Sequence, residues 1–179
     1  MPTHPFYFLS HCFNYPDIDS LEKSAEALSL LAADMDIHVT VSQLQETALV
    51  DQQAEYVRLF INGLGGMAAP PYASVYINNA GILKQQGYDQ ALAMYCRAGL
   101  EPTGGSESAD HISHELAFIG LLLEQGNEQL LNSFLQDHFL LWYPAFSERL
   151  MRSNPLPFYK ILAQVTDQCL QQIDTEVFA

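Results

Sequence analysis

A chain of 179 residues with 49% hydrophobic and 16% charged residues is long enough to bury a core and too apolar for extended disorder. Its 21 Asp and Glu residues outnumber 7 Lys and Arg, and the resulting net charge of −14 disfavours binding to nucleic acids and anionic lipids. The same charge favours a basic partner, although a role in solubility alone would also explain it.

The first hundred residues show helical spacing of apolar side chains and no sustained period-2 alternation, so they predict helices. The first helix covers about Pro5 to Asn14, and the second begins at a cap provided by Asp19 or Ser20. A third helix runs from near Ser42 to Phe60. The glycines and asparagine of segment 62–66 tolerate positive φ and end it.

The segment from Ser74 to Leu100 predicts two helical pieces with an interruption over Gly81–Gly87. A loop rich in Gly, Pro and Ser follows over residues 101–108 and divides the chain into halves 1–100 and 109–179. We interpret this loop as a hinge that would let two chains exchange halves. The predicted state is a monomer, with a domain-swapped dimer as the alternative.

Apolar residues at helical spacing continue beyond the loop, where Pro144 should kink a helix or begin a new one. Pro155 and Pro157 precede the last helix. The predicted buried stripes of these helices are Ile112, Leu116, Ile119 and Leu123; then Leu131, Leu135, His138, Trp142 and Phe146; then Phe158, Leu162, Val165 and Cys169. We therefore predict an all-α fold, a single globular bundle of roughly eight to ten helices over residues 1–179.

The sequence does not predict a secreted or membrane-spanning protein. Its start, Met1–His4, lacks the basic residues of a secretory signal, and the longest apolar run, Leu116–Leu123, is too short to span a bilayer. The cysteines, Cys12, Cys96 and Cys169, are too far apart for a zinc or redox motif and fit a reduced compartment. We predict a cytoplasmic protein without a membrane span.

The pair Asp110-His111 stands directly before the apolar stripe that begins at Ile112. Asp110 suits a helix N-cap, since its carboxylate would accept orphan backbone N–H groups. The functional alternative is an acidic site that receives a guanidinium, because a carboxylate binds the planar arginine group through two hydrogen bonds. Glu115 lies four residues after His111, so it would hold and charge the imidazole within such a site.

The segment Pro70–Tyr76, with the sequence PPYASVY, is a second candidate site. Its prolines, Pro71 among them, fix an extended approach to a helix that Ser74 would cap. Tyr72 and Tyr76 would line a groove if this turn is helical, although aromatic residues at this spacing also suit a core. The same two interpretations apply to three residues of the third predicted helix, Tyr56, Leu59 and Phe60.

No catalytic or metal-binding constellation is complete in this sequence. His111 and His114 are three residues apart, whereas the zinc-protease helix needs histidines four apart with a glutamate between them. The serines near Asp110 lack a nucleophile elbow. We predict a protein that grips a peptide and has no catalytic residue, bound cofactor or metal. The rival from another class is a helical metal-dependent hydrolase that uses His111, His114 and Glu115.

The ordered set of these segments resembles the TorD/DmsD family of cytoplasmic chaperones for twin-arginine-exported molybdoenzymes. The similarity covers about residues 40–170. The segments that carry it are EYVRLF at 55–60, PPYASVY at 70–76, YCRAGL at 95–100, DHISHEL at 110–116, FLQDHFLLW at 134–142, and Phe158-Tyr159.

The resemblance implies an all-α chaperone rather than an enzyme. It implies two partners, the twin-arginine leader peptide and the apo form of the catalytic subunit of a molybdopterin-dependent oxidoreductase, with the export machinery as a third. Such a chaperone would aid cofactor insertion and delay export until the enzyme has folded. An alternative within the family is a nitrate-reductase-type assembly chaperone for a non-exported molybdoenzyme.

The resemblance also implies which residues bind the leader. The central roles belong to Asp110, His111 and Tyr72, and the third predicted helix would add apolar lining. The complete predicted set, which includes Glu115 from its spacing, is Asp110, His111, Tyr72, Pro71, Ser74, Tyr76, Tyr56, Leu59, Phe60 and Glu115.

Overall fold

The computed structural model describes residues 4–63, 66–77, 86–101 and 107–177 of the chain. The one strand-like pairing among these residues is an isolated bridge between Tyr72 and His111, so the all-α prediction is confirmed. The α-helices are α1 (Pro5–Cys12), α2 (Ile18–Ala33), α3 (Val41–Gln45), α4 (Leu49–Tyr56), α5 (Ala73–Tyr76), α6 (Gln86–Arg97), α7 (Ile112–Glu124), α8 (Glu128–Phe134), α9 (Leu140–Arg152) and α10 (Pro157–Val177). Two π-helical segments continue helices of this set, π1 (Val57–Ile61) after α4 and π2 (Leu135–Phe139) after α8.

The first two predicted helices are present, but a different residue caps the second. The Oδ1 atom of Asp17 accepts the N–H of Ser20 at 2.9 Å, and α2 begins at Ile18. The prediction of a cap at Asp19 or Ser20 is therefore wrong, because the Asp17 carboxylate already binds an orphan N–H group of the first turn.

The third predicted helix, Ser42 to Phe60, is interrupted in the structure. A capping box starts α3, in which the Thr40 hydroxyl accepts the N–H of Gln43 at 3.3 Å and the Gln43 amide oxygen accepts the N–H of Thr40 at 2.9 Å. Ala48 is extended, with φ −60° and ψ 152°, and its carbonyl accepts the first N–H groups of α4. The prediction of one helix is wrong because this extended residue separates two helices that start independently.

Pro144 lies inside α9 and neither ends nor begins a helix. The irregularity comes before it, in π2, which ends at Phe139. Because proline has no N–H, the carbonyl of Leu140, four residues earlier, receives no helical hydrogen bond from it. The prediction that a helix begins at Pro144 is therefore wrong, and the alternative of a kink there stays a prediction.

The predicted buried stripes are confirmed in the three C-terminal helical stretches. Every residue of the stripes is buried except Leu123, which is half-buried. The predicted helical region from Ser74 to Leu100 contains α5 and α6. Of the predicted interruption, residues 81–85 lie outside the described residues, whereas Gln86 and Gly87 already belong to α6.

Two compact units divide the chain, and each contains two stretches of sequence. Unit 1 consists of Met1–Phe13 and Pro70–Phe146, and unit 2 consists of Asn14–Ala69 and Ser147–Ala179. Leu100 and Ala109, on either side of the predicted hinge, both belong to unit 1. Residues 102–106 lie outside the described residues. The hinge, the two halves and the exchange of halves between chains therefore stay predictions.

Unit 1 depends on two glycines where helices approach closely. Helix α1 packs against α7 at Gly120, where a Cβ atom would lie 3.1 Å from Cε2 of the Tyr7 ring. Helix α6 packs against α5 at Gly87, where a Cβ atom would lie only 2.6 Å from the backbone nitrogen of Ser74. The second approach fixes the position of the short helix that follows Tyr72.

In unit 2, α10 packs against α2 and α3. A buried carboxylate connects α4 to the start of α10, since Oε1 of Glu55 accepts the N–H of Leu156 at 3.0 Å. Arg58 donates to both oxygens of the same carboxylate, at 2.6 and 2.8 Å, and to the carbonyl of Ser153 at 3.2 Å. The EYVRLF segment thus has a structural role at this junction.

Candidate functional site

The two sequence motifs of unit 1 meet in space. A two-residue antiparallel bridge pairs Tyr72 with His111. The N–H of Ile112 donates to the carbonyl of Pro71 at 2.9 Å, and the N–H of Ala73 donates to the carbonyl of Asp110 at 3.0 Å. The double-proline segment is already extended, which suits it to this pairing. The bridge brings the side chains of both motifs to one edge of unit 1, which we call the Tyr72–Asp110 edge.

Asp110 is fully buried and caps a helix, although not the one that follows it. Its Oδ2 atom accepts the N–H of Ser74, in the first turn of α5, at 2.9 Å. Its Oδ1 atom accepts the hydroxyl of Ser108 at 2.5 Å. The prediction that Asp110 caps its own helix is wrong, because it reaches 36 residues back to the orphan N–H group of another helix. Ser74 therefore does not cap α5 itself.

His111 is the N-cap of α7. Its Nδ1 atom accepts the N–H of Ser113 at 3.2 Å and lies 2.7 Å from the hydroxyl of the same serine. An Nδ1 atom that accepts must carry no proton, so the ring is neutral with its proton on Nε2. Burial lowers the pKa of His111 to about 4, assisted by the neighbouring His114 and opposed by the carboxylates of Glu107 and Asp110.

Glu115 does not hold His111, and that interpretation of their spacing is wrong. The carboxylate is fully buried; Oε1 lies 2.7 Å from Nε2 of His138, and Oε2 accepts the indole N–H of Trp142 at 2.9 Å. His138 and Trp142 are four residues apart and therefore share a helix face. Burial raises the pKa of the Glu115 carboxyl, against the opposing effect of these two partners.

The exposed part of the Tyr72–Asp110 edge is aromatic and acidic. Tyr72 is half-buried; its hydroxyl donates to Oε2 of Glu107 at 3.1 Å, and its ring meets that of His111 edge-on at 5.1 Å between centroids. Glu107 is exposed. His114, also exposed, has its Nδ1 atom 3.0 Å from the carbonyl of Ser108. A ligand approaching this edge would meet a tyrosine ring, a carboxylate and an imidazole before it reached Asp110.

Tyr76 lies beside the buried cluster of Glu115. Its ring stacks on Trp142 at 5.8 Å between centroids and meets Phe146 edge-on at 6.3 Å. Pro71 and Ser74 are buried, and the Ser74 hydroxyl has no hydrogen-bond partner among the residues that the structure describes. Tyr76, Pro71 and Ser74 therefore belong to the packing that supports the Tyr72–Asp110 edge.

Tyr56, Leu59 and Phe60 lie in unit 2, whereas the other predicted residues lie in unit 1. All three are buried. The Tyr56 ring meets Tyr15 at 5.4 Å and Phe60 at 5.0 Å, and Phe60 meets Tyr159 at 5.6 Å. Tyr56 and Phe60 form an aromatic part of the unit 2 core, and the contact of all three residues with a leader stays a prediction.

The sequence of this chain matches the family described as nitrate reductase delta subunit over residues 19–148. The chain belongs to that family. Chaperone protein TorD of Vibrio parahaemolyticus is 27% identical over 69% of this chain and 62% of its own length. The probable Tat proofreading chaperone DmsD of Haemophilus influenzae is 28% identical over 79% of this chain and 70% of its own length.

Solved structures agree with this membership. A crystal structure described as a redox enzyme maturation protein from Archaeoglobus fulgidus has a TM-score of 0.65 to this chain at 25% identity. The match covers 94% of this chain and 91% of that one. The resemblance to the TorD/DmsD family is confirmed. This chain spans 62% and 61% of the length of two of the TorD relatives that it matches.

Sequence reasoning missed three contributors to the site of this family member. Glu107 and Ser108 stand in a loop, where no periodicity marks a residue as functional. Tyr95 donates its hydroxyl to the carbonyl of Ala109 at 2.8 Å, so it holds the segment before Asp110 from α6. Tyr95 begins the YCRAGL segment, one of those that carry the family resemblance, so the resemblance could have indicated this residue.

Within the described residues, no three His, Cys, Asp or Glu side chains are placed to hold a metal ion. The His111 and His114 rings lie 6.2 Å apart between centroids. No helix in the described ranges is long and apolar enough to cross a bilayer.

Acidification should destabilise the fold through His111. The folded-state pKa of about 4 lies below the ordinary value of 6.5, so the contribution of His111 is complete above pH 6.5 and is lost as the pH falls towards 4. One such group changes the free energy of unfolding by at most about 1.4 kcal/mol per pH unit. Urea unfolding across this pH window measures the slope.

His111→Gln should flatten that slope, because glutamine keeps an acceptor for the Ser113 N–H but does not titrate. The control is His11→Gln, which removes an exposed imidazole from α1 of the same unit. Equal slopes in His111→Gln and the wild-type protein would contradict the assignment to His111.

Proposed function

We propose that this family member is a cytoplasmic, non-enzymatic chaperone that binds the twin-arginine leader and the apo form of a molybdopterin-dependent oxidoreductase. It would aid cofactor insertion and delay export until folding is complete, with the export machinery as a later partner. The observation that carries the proposal is the bridge that joins Tyr72 to the Asp110-His111 pair at a partly exposed acidic edge. The names of the TorD and DmsD relatives support it.

The chemistry of the edge suits an arginine. A guanidinium is planar, stacks on aromatic faces and forms two hydrogen bonds to one carboxylate. Tyr72 offers a half-buried ring, and Glu107 offers an exposed carboxylate beside it. Asp110 lies deeper, where its Oδ1 atom is bound by the Ser108 hydroxyl. An arginine that displaced this hydroxyl would pair with the Asp110 carboxylate while Oδ2 still capped α5.

Unit 1 as a whole would attract a basic peptide. Its described residues contain one Lys or Arg side chain, Arg97, which is exposed. The described carboxylates of the same unit are Asp89, Glu101, Glu107, Asp110, Glu115, Glu124, Glu128 and Asp137. This imbalance creates a negative potential that speeds the encounter with a cationic leader and weakens with added salt.

Asp110→Asn should weaken binding of a synthetic peptide that carries two adjacent arginines before an apolar stretch. Loss of a charge-assisted hydrogen bond costs roughly 1.5–3 kcal/mol, which corresponds to about tenfold or more in affinity. The melting temperature should change little, because asparagine can still accept the Ser74 N–H and donate to the Ser108 oxygen. Titration calorimetry and thermal unfolding test both expectations.

The matched control is Asp137→Asn, which removes one exposed carboxylate from π2 of the same unit. It should leave affinity unchanged apart from a small effect of net charge. Unchanged affinity in Asp110→Asn with a lowered melting temperature would mean that Asp110 only caps α5. His111→Ala is a poorer probe, because His111 is buried and caps α7, so its removal would also lower stability.

A second candidate function has specific support in the description of the matched family. A nitrate reductase delta subunit suggests an assembly chaperone for a non-exported molybdoenzyme, which would have no leader to bind. Peptide titration separates the two proposals, because this second candidate requires no affinity for a twin-arginine peptide. Capture of an apo-oxidoreductase subunit without peptide binding would favour it.

A further inference from the structure

An apolar groove of about 280 Å³ opens at the surface of unit 1. Four of its lining residues share a face of α7, since residues three and four apart on a helix are neighbours. The side chains that line it are His114, Ala117, Phe118 and Leu121 of α7, Tyr7 of α1 and Tyr95 of α6. Leu100, which is 38% exposed, adds an apolar rim.

The size and chemistry of the groove suit apolar side chains of a peptide. Its volume is below the about 300–1,000 Å³ of typical small-molecule sites. Both hydroxyls of its lining are already used: the Tyr7 hydroxyl donates to Glu124 at 3.1 Å, and the Tyr95 hydroxyl donates to the Ala109 carbonyl at 2.8 Å. The groove therefore presents mainly carbon to a ligand, and burial of an apolar side chain there would be favourable.

The groove is continuous with the Tyr72–Asp110 edge. His114 lines the groove, and its Nδ1 atom lies 3.0 Å from the carbonyl of Ser108. The hydroxyl of the same Ser108 binds Asp110. Tyr95 also lines the groove and is bonded to Ala109, next to Asp110. A single extended peptide could therefore contact both features.

The charges around the groove indicate the occupant. Glu124 lies at the Tyr7 side, and Glu107 lies at the Tyr72 side; both carboxylates are exposed. A second copy of this chain, with a net charge of −14, would be repelled from such a rim. A peptide with basic groups beside its apolar residues is complementary to it.

We propose that this groove binds the apolar stretch that follows the arginines of the leader, while the arginines lie at the Tyr72–Asp110 edge. This inference rests on the proposed function. Affinity is thereby divided between two adjacent parts of one surface, a charged part and an apolar part. Each part reads a different feature of the same peptide.

The test is Ala117→Trp, which fills the groove with a bulky side chain from α7. The probe is a synthetic peptide with two adjacent arginines followed by about 12 Leu and Ala residues, within the length range of signal-peptide apolar regions. A second peptide replaces the apolar stretch with Ser and Gly. Affinity for the first peptide should fall roughly tenfold or more, the loss expected from excluding a leucine-sized side chain. Affinity for the second should not change.

Ala93→Trp is the matched control, because Ala93 is exposed on α6 of the same unit and does not line the groove. It should leave both affinities unchanged. If the wild-type chain binds the apolar peptide and Ala117→Trp binds it equally well, the groove assignment is wrong and the proposed function stands. If the wild-type chain binds neither peptide, both are wrong.

A second measurement covers the case in which Ala117→Trp does not fold. A photoreactive phenylalanine analogue at the centre of the apolar stretch should cross-link the wild-type chain. Mass spectrometry should locate the product at Tyr7, Tyr95 or α7 residues 114–121. Cross-links confined to unit 2, for instance to Val50 or Ile61, which are exposed apolar residues there, would overturn the proposal.

Discussion

Replacing Glu115 by methionine should lower the free energy of unfolding by roughly 2–6 kcal/mol, because it leaves two buried donors without an acceptor and each costs about 1–3 kcal/mol. Methionine fills a similar volume but accepts no strong hydrogen bond. The indole N–H of Trp142 and the imidazole of His138 would then be buried without the acceptor they share. Urea unfolding, monitored by circular dichroism and by the fluorescence of the single tryptophan, measures the loss.

Glu115→Gln separates the hydrogen bonds from the charge. The amide oxygen can accept from Trp142, and the amide nitrogen can donate to His138 if the imidazole proton moves to Nδ1, which faces Oε1 of Gln90 at 3.4 Å. We expect a loss of about 1 kcal/mol, the usual value of a weakened hydrogen bond. Equal losses in Glu115→Gln and Glu115→Met would mean that the cluster depends on its charge rather than on its hydrogen bonds.

Gly87→Ala should also be strongly destabilising, although alanine is the better helix former. Helix propensity alone would make the variant about 1 kcal/mol more stable. The added Cβ would lie 2.6 Å from the nitrogen and 2.9 Å from the Cα of Ser74, both backbone atoms of α5 that cannot rotate away. We expect a net loss of roughly 3 kcal/mol, the upper end of the usual range for overpacking, in the urea-unfolding free energy.

Gly120→Ala is the matched control, also in a helix of unit 1. Its Cβ would meet the ring of Tyr7 at 3.1 Å, and this ring is a side chain whose hydroxyl bond to Glu124 is exposed. A small shift of Tyr7 should relieve the contact, so the variant should be near neutral. A Gly87→Ala variant as stable as Gly120→Ala would show that α5 can move and that its position is not fixed by α6.

Local patterns in the sequence predicted the long helices well. The stripes of α7 and α10 follow from apolar spacings of three and four residues, which depend only on neighbours within the same helix. The helical spacing from Leu131 to Phe146 was equally clear. It gave no sign of π2, because a π turn changes the hydrogen bonding without removing apolar residues from the face.

Partnerships across the chain could not be read from spacing. Asp110 has the side chain of an N-cap, but the N–H group it binds belongs to Ser74, 36 residues earlier. The spacing of one turn predicts that Glu115 contacts His111, whereas its partner His138 is 23 residues later. In both cases the residue type indicated a hydrogen-bonded carboxylate correctly, and only the tertiary fold selects the donor.

The bridge between Tyr72 and His111 makes the candidate surface depend on two segments that are far apart in the sequence. Neither segment forms the surface alone. Pairing them requires closure of a long loop, and the entropy of that loop is lost before the new contacts stabilise the pairing. A chain still emerging from the ribosome, or one loosened by heat at this bridge, would present Tyr72 and Asp110 separately. Under the proposed function, leader binding would therefore require this bridge to have formed, and a partly folded copy of the chain would not compete with a folded one for the leader.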